Sequence, residues 1–197
     1  MVMNISVMVS GGGTNLQALI DRVADGSIPD ARIALVLSSR DGVYSLERAR
    51  KASIKTVVIS KKDYPDEEAK TDAILAALAE EGTDLVVMAG YMIIVSPRIP
   101  RAYAGRIINI HPALLPRHGG PGYYGLHVHE AVLAAGDTES GATVHYVDDR
   151  GVDSGEIILQ GRVPVLDGDT PEILQQRVLT VEHRILPEAT ALVLQKL

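Results

Sequence analysis

The chain has 197 residues, 46% of them hydrophobic and 22% charged, which is typical of one globular domain and excludes a disordered or fibrous protein. It contains no cysteine, so disulfides, thiolate metal sites and a cysteine nucleophile are excluded. Its net charge is -6 and its basic residues do not cluster beyond Lys61 and Lys62, which argues against nucleic acid as the main partner. No apolar run is long enough to span a membrane and the first residues do not resemble a signal peptide, so we expect a cytoplasmic protein.

Apolar runs typical of strands alternate with helix-like stretches up to residue 110. The strand-like runs are residues 5–9, 33–37, 56–59, 85–88 and 107–110. Apolar residues at helical spacing lie between them, over residues 16–24, 46–52 and 67–81. This alternation predicts a Rossmann-like α/β fold, with a mostly parallel sheet and helices on both faces.

The pattern changes after residue 111. A loop rich in glycine, proline and tyrosine, residues 117–125, precedes a helix-like stretch over residues 126–135. Two strand-like runs follow within residues 141–160, and the short loop between them predicts an antiparallel pair. Thr170 and Pro171 are typical of a helix start, and we expect this last helix to run towards Leu197 with a kink near Pro187. No linker divides the chain, so we expect one domain over residues 1–197.

Asn109 and His111 are polar residues at the end of an apolar run that stops at Pro112. Residues two apart on a strand point to the same side, so these two side chains project together. Proline ends the strand, and ligands of open α/β sheets bind where strands end. The pair is therefore a candidate catalytic site; the alternative is a turn-closing asparagine beside a hydrogen-bonded structural histidine.

The loop between the two C-terminal strands carries three aspartates, Asp148, Asp149 and Asp153. A carboxylate on such a loop can orient an imidazole from another strand and favour its charged form. His145 lies on the strand before this loop and is interpreted as a hydrogen-bonded histidine near the pocket.

Residues 10–16, Ser-Gly-Gly-Gly-Thr-Asn-Leu, join the first strand to the first helix. Glycines let a ligand approach the backbone closely, and free amides at a helix N-terminus bind anions, so this loop is a candidate phosphate site. Leu16 occupies the position of the third glycine in the dinucleotide fingerprint, and no Gly-Lys-Ser/Thr completes a P-loop. The alternative is a tight turn without a ligand.

The remaining signals are less specific. The apolar connection over residues 89–97 either packs into the core or walls an apolar ligand pocket. His127 and His129 do not share a face of their predicted helix, so they make a poor metal pair and are expected to be structural or solvent-facing. His118 lies in loop 117–125 without a partner at metal-ligand spacing. We therefore predict no metal site.

Several of these segments together match a known family. Residues 10–16 and 89–97, the motif Asn109-Ile-His-Pro-Ala-Leu-Leu-Pro116, and residues 145–147 and 152–155 resemble the formyltransferases that use 10-formyltetrahydrofolate. The resemblance covers nearly the whole chain and is strongest to the members that act on phosphoribosylglycinamide in purine synthesis. It implies an enzyme that passes the formyl group directly to the acceptor's primary amine, without a metal or a covalent acyl-enzyme.

The resemblance also assigns roles to individual residues. It implies that His111 is the general acid, that Asn109 is an oxyanion partner, and that Asp153 raises the pKa of the histidine. The implied substrate-binding residues are Gly13, Thr14 and Asn15 at the acceptor's phosphate and Glu182 at a ribose hydroxyl, and the implied folate-binding residues are Met92, Ile93, Ile94 and Val95 together with Asn109.

Some positions depart from the family pattern. Ile93 stands where many relatives have arginine, and residues 61–72 contain no arginine where some relatives use one near the folate. The interval from His145 to Asp153 is one residue longer than in relatives, so Asp148 and Asp149 stay as alternatives to Asp153.

Other functions are compatible with parts of the pattern. A hydrolase would pass the same formyl group to water, and transfer to an aminoacyl-tRNA would use a basic surface; such relatives usually carry a further domain. A nucleotide-binding oxidoreductase or a phosphate-ligand sensor would use the glycine-rich loop alone. We expect small-molecule substrates, no nucleic-acid or membrane partner, and a monomer or homodimer.

Overall fold

The computed structural model describes residues 2–197, which fold around one seven-stranded sheet. The strands are β1 (Met3–Val9), β2 (Ala31–Ser38), β3 (Lys55–Val58), β4 (Leu85–Met88), β5 (Ile107–His111), β6 (Glu139–Tyr146) and β7 (Ile157–Pro164). The helices are α1 (Thr14–Ala24), α2 (Tyr44–Lys51), α3 (Glu67–Glu80), α4 (Arg98–Ala102), α5 (Leu126–Ala134) and α6 (Pro171–Leu194).

The strand order in the sheet is β3-β2-β1-β4-β5-β6-β7. Pairing is parallel from β3 to β5 and antiparallel between β5, β6 and β7. The predicted α/β fold, with a mostly parallel sheet and an antiparallel C-terminal pair, is therefore confirmed. The chain reverses its direction of travel across the sheet between β1 and β4, and the crevice at such a switch point is where α/β proteins bind ligands.

Burial on both faces explains why the parallel strands are almost continuously apolar. The four residues of β4 are 0 to 7% exposed, which leaves no face of this strand for polar side chains. Residues of α1, α5 and α6 cover one face of the sheet, and residues of α3 and α4 cover the other. The sheet is thus a rigid platform whose carboxyl-terminal edge carries the loops after β1, β4 and β5.

Two helix starts follow from capping side chains. Asp66 accepts a hydrogen bond from the Ala69 amide at 2.8 Å at the start of α3. Thr170 accepts from the Ile173 amide at 3.3 Å and Pro171 follows it, so the predicted start of α6 is confirmed. Helix α6 continues through the buried Pro187; the kink expected there stays a prediction.

The short helix α4 was not predicted. It has five residues, fewer than two turns, so its apolar residues show no helical period in the sequence. Among the helices of residues 2–197, none combines the length and the apolar composition that crossing a membrane requires.

Candidate active site

A cleft of about 510 Å³ opens at the carboxyl-terminal edge of the sheet, at the switch point between β1 and β4. Its lining comes from Asn15 of α1, from the loops after β4 and β5, from His129 of α5, from the loop between β6 and β7, and from α6, whereas Gly13 and Thr14 are not among the lining residues. Most of the residues singled out by sequence meet here: Asn15, Met92, Ile93, Ile94, Val95, Asn109, His111, Asp153 and Glu182 all line the cleft.

Asn109 and His111 lie together at the end of β5, as their spacing predicts. His111 is 4% exposed and its strand stops before Pro112. In the antiparallel register Asn109 lies opposite His145 of β6, and Asn109 Nδ2 lies 3.2 Å from His145 Nε2. A second imidazole therefore borders the pair, a contact that follows from strand register.

Asp153 lies between the two imidazoles. Its Oδ2 is 3.4 Å from His111 Nδ1 and its Oδ1 is 3.4 Å from His145 Nε2. The Gly120 amide also donates to Asp153 Oδ2, at 3.0 Å. The other two aspartates of the loop bind elsewhere.

Asp148 and Asp149 are engaged by arginines at the surface. Asp148 accepts hydrogen bonds from Arg150, and Asp149 accepts one from Arg101 at 2.8 Å. Neither carboxylate contacts His111 in the described residues, so among the three candidates Asp153 alone lies beside the imidazole; its role stays a prediction.

The hydrogen bonds of His111 fix where its proton lies. Nε2 is 2.7 Å from the backbone carbonyl of His118, which can only accept, so Nε2 carries a proton. Nδ1 then faces Asp153, and a second proton there would form an imidazolium–carboxylate pair.

Two opposing effects act on the pKa of His111. Burial lowers this pKa below its ordinary value of 6.5, and the charge of Asp153 opposes that shift without reversing it. Asp153 therefore acts in the predicted direction, but burial is the larger effect. Burial would raise the pKa of Asp153 itself, yet the hydrogen bond with His145 and the neighbouring His111 hold it below its usual value. Asp153 thus stays an anion at neutral pH.

The glycine-rich loop after β1 forms the N-terminus of α1. Gly13 precedes the helix with φ of 74°, a left-handed conformation that favours glycine. The first helical hydrogen bond runs from Gln17 N to Gly13 O, so the amides before Gln17, including those of Thr14 and Asn15, have no partner within the helix. These amides suit an anion such as phosphate.

Gly13 also packs against α2. A Cβ at this position would lie 2.6 Å from Ser45 Cβ, so even alanine would push the two helices apart. A Cβ at Gly12 would meet nothing within 4 Å. Arg48 of α2 donates to Gly12 O at 2.9 Å, which places a positive charge next to the loop.

Asn15 and Glu182 join the first and last helices inside the cleft. Asn15 Nδ2 donates to Glu182 Oε2 at 2.6 Å, across 167 residues of sequence. Glu182 is 5% exposed, and burial raises its pKa. The Asn15 Oδ1 atom is buried without a partner in residues 2–197. A buried amide and carboxyl with unused capacity suit a ligand that carries hydroxyl groups.

The apolar connection after β4, residues 89–97, combines the two predicted possibilities, core packing and a pocket wall. Tyr91 is 7% exposed and belongs to the core, whereas Met92 is 49% and Ile94 68% exposed on the cleft. The Met92 amide donates to Ser10 Oγ at 2.9 Å, which holds this wall next to the glycine-rich loop. The connection therefore serves as core on one side and as an apolar wall on the other.

The other histidines differ in their surroundings. His127 is exposed beside Glu130, whereas His129 is 1% exposed, its Nδ1 has no partner in residues 2–197, and burial lowers its pKa to about 4. The His118 ring lies 2.7 Å from Asp137, so its carbonyl rather than its imidazole reaches the site. Within residues 2–197 no three His, Asp or Glu side chains group in a way that could hold a metal ion.

Three features of the site escaped sequence reasoning: the contact of His145 with Asp153, the hydrogen bonds from residues 118 and 120, and the Asn15–Glu182 pair. The first could have been found by aligning the antiparallel strands through Asn109 and His145. The other two depend on loop conformation and on long-range packing of helices, which leave no local pattern.

Relatives of known name match most of this chain. Phosphoribosylglycinamide formyltransferase of Haemophilus influenzae is 42% identical, over 93% of this chain and 83% of that protein. The trifunctional purine biosynthetic protein adenosine-3 of Drosophila pseudoobscura is 47% identical, over 95% of this chain and 13% of that protein. The chain spans between 13% and 18% of the length of the trifunctional relatives it matches.

Solved structures agree in fold. The crystal structure of glycinamide ribonucleotide transformylase 1 from Symbiobacterium toebii superposes with a TM-score of 0.90 at 45% identity, over 96% of this chain and 86% of that one. Residues 3–190 match the formyl transferase family. With this match spanning the sheet and every wall of the cleft, the chain belongs to the formyl transferase family.

Proposed function

We propose that this chain transfers the formyl group of 10-formyltetrahydrofolate to the primary amine of 5'-phosphoribosylglycinamide. The products are phosphoribosyl-N-formylglycinamide and tetrahydrofolate, in de novo purine synthesis. The names of the relatives support this reaction. The observation that carries it is the cluster of Asn109, His111 and Asp153, which shares one cleft with Asn15 of the first turn of α1 and with an apolar wall.

The layout of the cleft suits two ligands that meet at this cluster. We assign the acceptor's phosphate to the loop of Gly13, Thr14 and Asn15, and a ribose hydroxyl to Glu182. The folate is assigned to the wall of residues 92–95, whose exposed side chains offer apolar surface for a flat ring system. The acceptor's amine and the formyl carbon then meet beside Asn109 and His111, in near-attack geometry.

The chemistry needs hydrogen-bond donors but no protein nucleophile. The folate supplies a formyl carbon attached to a nitrogen that can leave once it is protonated. Asn109 Nδ2–H and the Nε2–H of His111, which in the free protein donates to His118 O and is shared with the substrate when it binds, stabilise the oxyanion that forms when the amine attacks that carbon. His111 then gives a proton to the departing nitrogen and takes up the proton that the attacking amine loses, so protons balance and no acyl-enzyme forms.

Asp153 has two roles in this scheme. It orients His111 through Nδ1 and favours the imidazolium, because a negative charge at 3.4 Å opposes the effect of burial. His145 holds the other carboxylate oxygen, so Asp153 cannot turn away from His111 without losing that contact.

An absorbance assay of tetrahydrofolate release tests the function. We expect release from 10-formyltetrahydrofolate only when phosphoribosylglycinamide is present. Equal release without the acceptor would identify a hydrolase instead. No release, whether or not the acceptor is present, would refute formyl transfer.

We further propose that residues 1–197 act as one domain, and that the enzyme is a cytoplasmic monomer or homodimer without nucleic-acid or membrane partners. Cell fractionation tests the location, and light scattering tests the assembly.

A further inference from the structure

The segment of residues 117–120 contributes two hydrogen bonds to the proposed reaction centre. His118 O accepts from His111 Nε2–H at 2.7 Å, and the Gly120 amide donates to Asp153 Oδ2 at 3.0 Å. One backbone segment therefore orients both the general acid and its carboxylate. Its position decides the geometry of the pair.

The segment contains one residue in a sparsely populated backbone conformation. His118 has a φ of 52°, in the left-handed region that side chains other than glycine rarely adopt. Behind the segment lies a second cavity of about 250 Å³, lined on this side by Arg117, His118 and Asp137. Because this space is open, packing alone does not prevent the segment from moving away from His111.

Asp137 is the anchor that opposes such movement. Its Oδ2 lies 2.7 Å from His118 Nε2, and its Oδ1 accepts a hydrogen bond from the Arg117 guanidinium. The hydrogen bond with His118 holds the pKa of Asp137 below its ordinary value, so the carboxylate is charged at neutral pH. The Asp137 amide donates to Val132 O at 3.3 Å, which fixes this residue to the end of α5.

We propose that Asp137 is a positioning residue for formyl transfer, which acts through Arg117 and His118 to hold the segment that orients His111 and Asp153. The inference rests on the proposed function, because it assigns Asp137 a part in the same reaction. The hydrogen bond between His111 and the His118 carbonyl also selects a tautomer. Because the carbonyl can only accept, neutral His111 carries its proton on Nε2, and Nδ1 faces Asp153.

A pair of variants at Asp137 and a matched control test this role. Asp137→Ala removes both contacts, whereas Asp137→Asn keeps an oxygen that can accept from His118. The control is Glu139→Ala, because Glu139 lines the same cavity but binds the exposed Arg162 and not the segment. We expect kcat to fall about tenfold in Asp137→Ala and less in Asp137→Asn, as for a misplaced catalytic group. The KM for phosphoribosylglycinamide should change less than about twofold, since the loop at Gly13 is untouched, and Glu139→Ala should match the parent.

The second readout does not depend on activity. Nitrogen-15 NMR of the imidazoles, with the His111 signals assigned by their loss in His111→Ala, reports which ring nitrogen carries the proton. The ring is surrounded by Asp153, His145, His118 and His129, and the three histidines among these are followed in the same spectra. We expect neutral His111 to be protonated at Nε2 in the parent and to show mixed tautomers in Asp137→Ala.

The outcomes separate the possibilities. A folded Asp137→Ala protein with parental kcat and parental tautomer would overturn the role, and so would an equal loss in Glu139→Ala. If Asp137→Ala does not fold, Asp137→Asn decides, because its amide nitrogen cannot accept and one of the two contacts is lost: reduced kcat at an unchanged Tm supports the role, and unchanged kcat together with an unchanged His111 tautomer removes it. A parent without transferase activity would refute the proposed function, while the tautomer comparison would still decide whether Asp137 positions His111.

Discussion

The buried His129 should make the stability of this protein depend on pH. Its side chain is 1% exposed, one ring nitrogen has no partner in residues 2–197, and burial lowers its pKa from 6.5 to about 4. Below pH 6.5 the unfolded chain therefore binds a proton that the folded protein does not bind until near pH 4. The stabilisation from neutral His129 is complete above pH 6.5 and is lost as the pH falls through this window.

The size of the effect follows from the two pKa values. Each unit of difference corresponds to about 1.4 kcal/mol, so at about pH 4.5 the loss attributable to this residue is roughly 2 to 3 kcal/mol. His129→Leu removes the titrating group and keeps a side chain of similar volume. On acidification, the free energy of unfolding of this variant should therefore fall by roughly 2 to 3 kcal/mol less than that of the parent.

Urea denaturation of the parent and of His129→Leu at about pH 7.5 and pH 4.5 measures how much stability each protein loses on acidification. His127→Leu is the matched control, because His127 lies two residues away on the same helix and is exposed beside Glu130. The reasoning is refuted if the parent and His129→Leu lose the same stability on acidification, or if His127→Leu changes the loss as much as His129→Leu does.

Three further predictions concern the reaction. His111→Ala should lower turnover by at least roughly a hundredfold while phosphoribosylglycinamide still binds by calorimetry; near-parental turnover in a folded variant would remove His111 from the mechanism. Asp153→Asn should lower the pKa of His111 further, so the rate, which requires protonated His111, should begin to decline at a lower pH than in the parent. Asp149→Asn is the control and should leave the pH–rate profile unchanged. The reverse result would assign the role to Asp149 instead of Asp153. Gly12→Asp should weaken binding of the acceptor far more than of the folate, and Ile94→Asp the reverse; calorimetric titration showing normal affinities in either folded variant would contradict the layout of the ligands.

The fold could be predicted from sequence because its signals are local. The apolar runs at residues 85–88 and 107–110 coincide with β4 and β5 to within one residue, since strands buried on both faces are continuously apolar. The start of α6 followed from Thr170 and Pro171, whose side chains cap and begin a helix whatever surrounds them. Only α4 was missed, for lack of length.

The site could be predicted only in part. Asn109 and His111 share a strand, so their common direction follows from spacing alone. The choice of Asp153 over Asp148 depends on how a ten-residue loop folds and on where Arg150 lies, which no periodicity encodes. The same holds for His118, whose carbonyl and not its side chain reaches His111.

The hydrogen bond between Asn15 and Glu182 also has a consequence for synthesis of the chain. The ribosome makes Asn15 before Glu182, which lies 167 residues further along the chain and emerges only with α6. Until α6 is made, Asn15 lacks its partner Glu182, and the apolar side chains of the strands that α6 covers in the folded protein are exposed to water. A nascent chain without α6 therefore lacks the Asn15–Glu182 contact. We expect ligand protection against proteolysis to arise in one step, once α6 has been made, rather than gradually as the strands appear.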